Sequence, residues 1–150
     1  MSTITVIFTK RQWNPVSWLI RWAVPRSRFA LALSSHCLIV DGDHVIEANM
    51  IHGVRRVPTE VGMAGLTVVK TVDYSVQDAE AGLVWGRLRD GEKYDYPGAF
   101  GIAIRVDRDW AEPGRWFCYE LAAAVLKAAG RDAFAYAGYI TETTLLSIKP

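Results

Sequence analysis

The chain has few cysteines, few histidines and no surplus charge of either sign: two Cys, three His and a formal net charge of +1 over 150 residues. Two cysteines, Cys37 and Cys118, cannot build the disulfide framework of a small secreted domain, and two free thiols in a reducing compartment is the simpler reading. A charge near zero argues against nucleic acid as the main partner. The local surplus at Arg11, Arg21, Arg26 and Arg28 reads as a solvated face. No apolar run reaches the roughly 18–20 residues of a membrane span, so no stable membrane insertion is expected. Residues 1–10 lack a basic segment, a long apolar segment and a small-residue cleavage site; they do not read as a signal peptide, and the expected location is cytoplasmic. Repeats, low-complexity tracts and Pro- or Gly-rich linkers are missing too, so residues 1–150 are expected to form a single domain.

What is present is an ordinary globular composition, 51% apolar and 22% charged. At this length about 70% of the unfolded chain's surface can be buried, enough for a core without staples. Six Trp, six Tyr and five Phe supply an aromatic interior or cleft. The β-branched residues 4–8 predict a first strand. Residues 15–23 predict a short amphipathic helix opened by Pro15 and ended by Pro25. Residues 36–40 and 45–49 flank Asp41-Gly42, a strong hairpin signal. Two further strands are expected at 53–57 and 66–72, and a helix at 75–89 with Ser75 as N-cap. Residues 94–98 read as a turn entering a helix-like stretch at 99–104. An Ala- and Leu-rich helix over 116–129 is closed by Gly130, and 141–148 form a last short helix. Helices around a central block of short antiparallel strands give an α+β fold.

Cys118 stands in or just before the first turn of the Ala-rich helix, where unpaired N–H groups and the macrodipole favour a thiolate. A buried cysteine is also an ordinary small hydrophobe, so position alone does not decide its role. His36 opens an otherwise apolar strand. Alternation puts His36, Leu38 and Val40 on one face and Cys37 on the other, which makes Cys37 a core residue. With Asp41-Gly42 as the turn, His36 faces Glu47; with Gly42-Asp43, Asn49 faces His36 and Glu47 lies diagonal on the same face. In either register Glu47 can hold one ring nitrogen of His36 and leave the other for a thiol, the pattern of nucleophile, base and orienting group. A plain cross-strand polar pair is the competing reading. His44 and His52 are expected to be exposed. A metal site from His36, Cys37, His44 or His52 matches no standard zinc spacing, and neither metal nor cofactor is expected.

Residues 35–48 (SHCLIVDGDHVIEA), then Gly53-Val54, Tyr94-Asp95 and Phe117-Cys-Tyr-Glu-Leu121, together resemble the circularly permuted NlpC/P60 superfamily of papain-like enzymes, in its YiiX/YaeF-like branch. The likeness spans roughly residues 3 to 148. It implies a small antiparallel sheet or half-barrel packed against helices, with Cys118 as nucleophile, His36 as base and Glu47 as orienting group. It also implies that Tyr94 lines the substrate cleft. Tyr119 replaces the usual Ser beside the nucleophile and would narrow or reshape that cleft; Trp116, from the aromatic stock just before the nucleophile, is a further candidate to line it and bind substrate. Glu120 reads as structural or capping. The implied activity is a cysteine amidase or peptidase acting on a peptide or amide through a thioester. A lipid acyltransferase or esterase of the same fold is the alternative, as is a non-catalytic binding module. An intracellular substrate and a phage-encoded role both fit the expected location.

Overall fold

The computed structural model describes residues 2–11, 34–97, 114–131 and 142–147, together with Pro15 and Arg21. The described residues form a mixed α+β fold around a five-stranded antiparallel sheet. In chain order these are β1 (Ser2–Lys10), β2 (His36–Asp41), β3 (His44–Asn49), β4 (Gly53–Pro58), α1 (Thr59–Gly62), β5 (Thr67–Val76), α2 (Ala79–Arg87), β6 (Lys93–Tyr94), β7 (Arg115–Trp116), α3 (Cys118–Ala128) and α4 (Glu142–Ser147). The sheet runs β4-β3-β2-β1-β5, and β6 and β7 make a separate two-stranded parallel pair. Among the described residues no helix is long and apolar enough to cross a membrane.

Period-two alternation explains the main core face. Ile4, Val6 and Phe8 of β1 are buried, and with Cys37, Ile39, Ile46, Ala48 and Tyr74 they form one cluster with Leu121, Ala122, Val125 and Leu126 of α3. Helices α2 and α3 cross at close range because α2 presents glycines. A Cβ on Gly82 would stand 2.7 Å from the Val125 carbonyl oxygen and 2.8 Å from the Ala129 Cβ. The other sheet face is capped by α1, where Gly62 approaches Val45 and Leu38.

Several sequence expectations shift. The hairpin turns at Gly42-Asp43, with Asp41 paired to His44, so the second of the two registers is the one adopted. The strand expected to end at residue 72 continues to Val76, and Ser75 pairs with Thr3 instead of capping a helix. Helix α2 therefore starts at Ala79, and its N-cap is Asp78, whose carboxylate accepts the Ala81 N–H at 3.0 Å. Tertiary strand pairing outweighs the local cap signal here. Trp116 belongs to β7, and α3 begins at Cys118. The expected helix at 15–23 (apart from Pro15 and Arg21) and the stretch at 99–104 lie outside the described residues.

Candidate active site

Three elements converge on the site. His36 is the first residue of β2, opposite Thr9 of β1, and Thr9 Oγ1 donates to the His36 carbonyl at 3.4 Å. Glu47 lies in β3 with its side chain 1% exposed. In the adopted register it sits diagonally from His36 on the same face, and His36 Nε2 meets Glu47 Oε2 at 2.6 Å. That contact leaves Nδ1 free to face the thiol.

The second oxygen of Glu47 has its own partner. Arg55, directly across from Glu47 on β4, donates Nε to Oε1 at 2.7 Å, with Nη2 at 2.6 Å. Sequence reasoning missed Arg55. The signal existed: continuing the strand pairing one hairpin further sets residue 55 opposite residue 47.

Cys118 supplies the third part. Its helix has Phe117 as N-cap with no side-chain cap bond, and the Leu121 N–H makes a helical bond to the Phe117 carbonyl. The N–H groups of residues 118–120 come before that bond and form the positive end of the helix. Helix α3 packs on β2, and the Cys118 thiol reaches both His36 and Cys37. Successive strand residues point to opposite faces, so contact with both places Cys118 over the end of β2. The β1–β5 pairing shifts register between Phe8 and Thr9, the residues opposite Cys37 and His36, and such a bulge adds local twist. Cys37 is thus a core residue, as its face implies, and also a neighbour of Cys118.

The electrostatics follow from these contacts. Burial alone would push the Cys118 thiol up. Hydrogen bonds from Cys37 and His36, with the charge of His36, outweigh it and hold Cys118 well below the ordinary thiol value. Burial likewise opposes charge on His36, but hydrogen bonds to Cys118 and Glu47 raise the ring to about 9. For Glu47, burial opposes ionisation, and His36 and then Arg55 more than restore it, so its carboxyl lies below the usual range. Burial pushes the Cys37 thiol well up, and its hydrogen bond to Cys118 adds to the effect. These directions favour the thiolate of Cys118, the imidazolium of His36 and the carboxylate of Glu47, and keep the proton on Cys37.

The aromatic neighbours divide. Tyr94 is 6% exposed; its phenol is pushed up by burial and then by the negative charge of Cys118, which shares its buried cluster. It is held by the β6–β7 pair, where Tyr94 stands beside Trp116 and the Asp95 N–H donates to the Trp116 carbonyl at 3.0 Å. Trp116 packs edge-on against Trp85 with centroids 5.3 Å apart, and its indole N–H donates to Glu92. Tyr119 turns inward. Its ring stacks on Phe8 at 6.4 Å and its hydroxyl bonds Ser34 Oγ at 2.9 Å. Ser34 in turn donates both its N–H and its hydroxyl to the buried Glu142 carboxylate, each at 2.5 Å. Glu142 is a second residue that sequence reasoning did not single out, and no local pattern marks it.

His44, expected to be exposed, is half-buried, with Nδ1 2.5 Å from Asp43 Oδ1; His52 is exposed. Among the described residues, no group of three or more His, Cys, Asp or Glu side chains gathers as a metal site. The structure thus brings His36, Glu47 and Cys118 together, sets Tyr94 beside them, and engages the polar groups of Trp116 and Tyr119 elsewhere. No protein-family model, curated protein or solved structure matches the chain.

Proposed function

We propose that the chain is a cysteine hydrolase, an amidase or peptidase, whose nucleophile is Cys118 in a permuted papain-like arrangement. The observation that carries this reading is the chain of contacts Arg55–Glu47–His36–Cys118, which stabilises a thiolate at a helix start. The thiolate attacks the carbonyl carbon, and the oxyanion is met by the Cys118 N–H at the positive end of α3. His36 gives its Nδ1 proton to the leaving amine as the carbon–nitrogen bond breaks. The neutral ring then takes a proton from water, which attacks the thioester, releases the acid and restores the thiolate. Glu47 holds Nε2–H throughout, and Arg55 keeps Glu47 ionised and aimed.

Iodoacetamide labelling across pH tests the reading. Cys118 should alkylate faster at pH 6 than a free thiol, and His36→Ala should remove that advantage. Equal rates would leave a binding module as the better description. Intact-mass detection of an acyl group on Cys118, after exposure to a panel of peptides, lipid esters and muropeptides, then identifies the bond attacked. A lipid-ester adduct alone would make the protein an acyltransferase or esterase instead.

A further inference from the structure

The chain has two cysteines, separated by 80 intervening residues, and the fold buries both in one core cluster. Phe8 pairs with Cys37 across the β1–β2 ladder and stacks on Tyr119, the residue after Cys118. Both cysteines are buried in one cluster, at 1% and 5% exposure, where helix α3 packs on β2. Amide hydrolysis uses one sulfur and gives the second no part.

We propose that Cys37 and Cys118 form a site of reversible oxidative modification, with Cys118 as the attacking thiolate and Cys37 as the resolving thiol. The oxidant is a peroxide, small enough to reach a nearly buried sulfur. Cys118 attacks one peroxide oxygen and the O–O bond breaks. The departing hydroxide takes the His36 proton and leaves as water, and Cys118 becomes a sulfenic acid. The Cys37 sulfur then attacks the Cys118 sulfur and the S–OH bond breaks. The Cys37 proton leaves with the hydroxyl as a second water. The sum is two thiols and one hydrogen peroxide giving one disulfide and two waters, with two electrons passing from sulfur to oxygen.

Proximity favours this course over further oxidation, because the resolving thiol lies in the same buried cluster as the sulfur it must attack. The disulfide would silence the nucleophile, and reduction would restore it. Sulfinic acid, the alternative fate of a lone sulfenic acid, is in general irreversible. The proposal uses the same Cys118 thiolate as the hydrolase reading, but it does not require that any acyl group be transferred.

The test treats the full chain with hydrogen peroxide, quenches with iodoacetamide and reads intact mass. The expected product has lost two hydrogens, takes up no alkyl group, and recovers two alkylation sites after dithiothreitol. Cys37→Ala and Cys37→Ser should instead gain oxygen at Cys118 and resist dithiothreitol. Oxygen gain in the wild-type chain at the same rate as in the variants, with no disulfide, overturns the proposal. The two readings fail separately. Fast alkylation of the reduced chain without a disulfide removes only this proposal, whereas a disulfide without fast alkylation supports it and removes the hydrolase reading.

Discussion

Replacing Glu47 by Gln keeps the side chain's shape and deletes its charge, which isolates what that charge does to His36. The ring lies at about 9 against an ordinary 6.5, roughly 3 kcal/mol of preference for the charged form. Two neighbours provide it against burial, Cys118 first and Glu47 second. Losing the second should lower the titration of His36 from about 9. The fold should weaken as well, since the E47Q chain leaves two cations without their shared anion. Removing one partner of a fully buried pair costs about 3–5 kcal/mol. His36 and Arg55 keep 18% and 23% of their side-chain surface in water, so roughly 2–3 kcal/mol is expected here.

The assay must observe the ring directly. Folding favours moving one proton within the pair, from the Cys118 thiol to the His36 ring, so the two groups answer pH in opposite senses. His36 alone, with its raised value, would contribute stability that is full below 6.5 and lost as pH rises through 9. Cys118, with its lowered value, contributes in the opposite sense, with stability present above the ordinary thiol value and lost as pH falls. The two oppose each other, and a melting curve against pH reports only their difference. Imidazole proton NMR sees what stability cannot, with the other two histidines assigned through His44→Gln and His52→Gln. A wild-type ring titrating near 6.5, or an identical ring in E47Q, would refute the reasoning.

Two other positions give independent expectations. Asp41 accepts from Arg87 at 2.5 and 2.8 Å and from Arg56 at 2.5 Å. Arg87 first, then Arg56, overcome burial and lower its carboxyl from 3.8 to about 2, which is worth roughly 2 kcal/mol. That stability is present above pH 3.8 and lost as pH falls through 2. Circular dichroism should show the loss in the wild type and a flat response in Asp41→Asn over the same range; parallel curves would contradict the assignment. Gly53 holds φ at 72°, and a Cβ there would stand 2.2 Å from the Glu92 carbonyl oxygen. Gly53→Ala should cost about 3 kcal/mol or more, read from urea midpoints, and an unchanged midpoint would contradict the close approach.

Legibility in the sequence followed the range of the interaction. The alternation in β2, the Asp-Gly signal and the Ala-rich helix are local, and together they anticipated Glu47 beside His36 and Cys118 at a helix start. Arg55 needed only one more hairpin carried through the same arithmetic. Other features needed tertiary information. Nothing near Ser75 says that β5 will continue along β1, because the partner lies more than 70 residues away. Cys37 looked like core packing alone because alternation says which face a strand residue takes, and not which helix crosses that face. Glu142 joins Ser34 across 108 residues, and no local pattern encodes such a pairing.

The late position of Cys118 has a consequence for the chain as it is made. Strands β1 to β5, which carry His36, Glu47 and Arg55, are complete by residue 76, and the helix bearing the sulfur follows. The sulfur is made reactive by the groups that surround it once α3 docks on β2. Until that docking it is an ordinary thiol, mostly protonated at neutral pH. On the proposed reading, reactivity is therefore a property of the finished tertiary structure, and a nascent or misfolded chain carries its proposed nucleophile switched off.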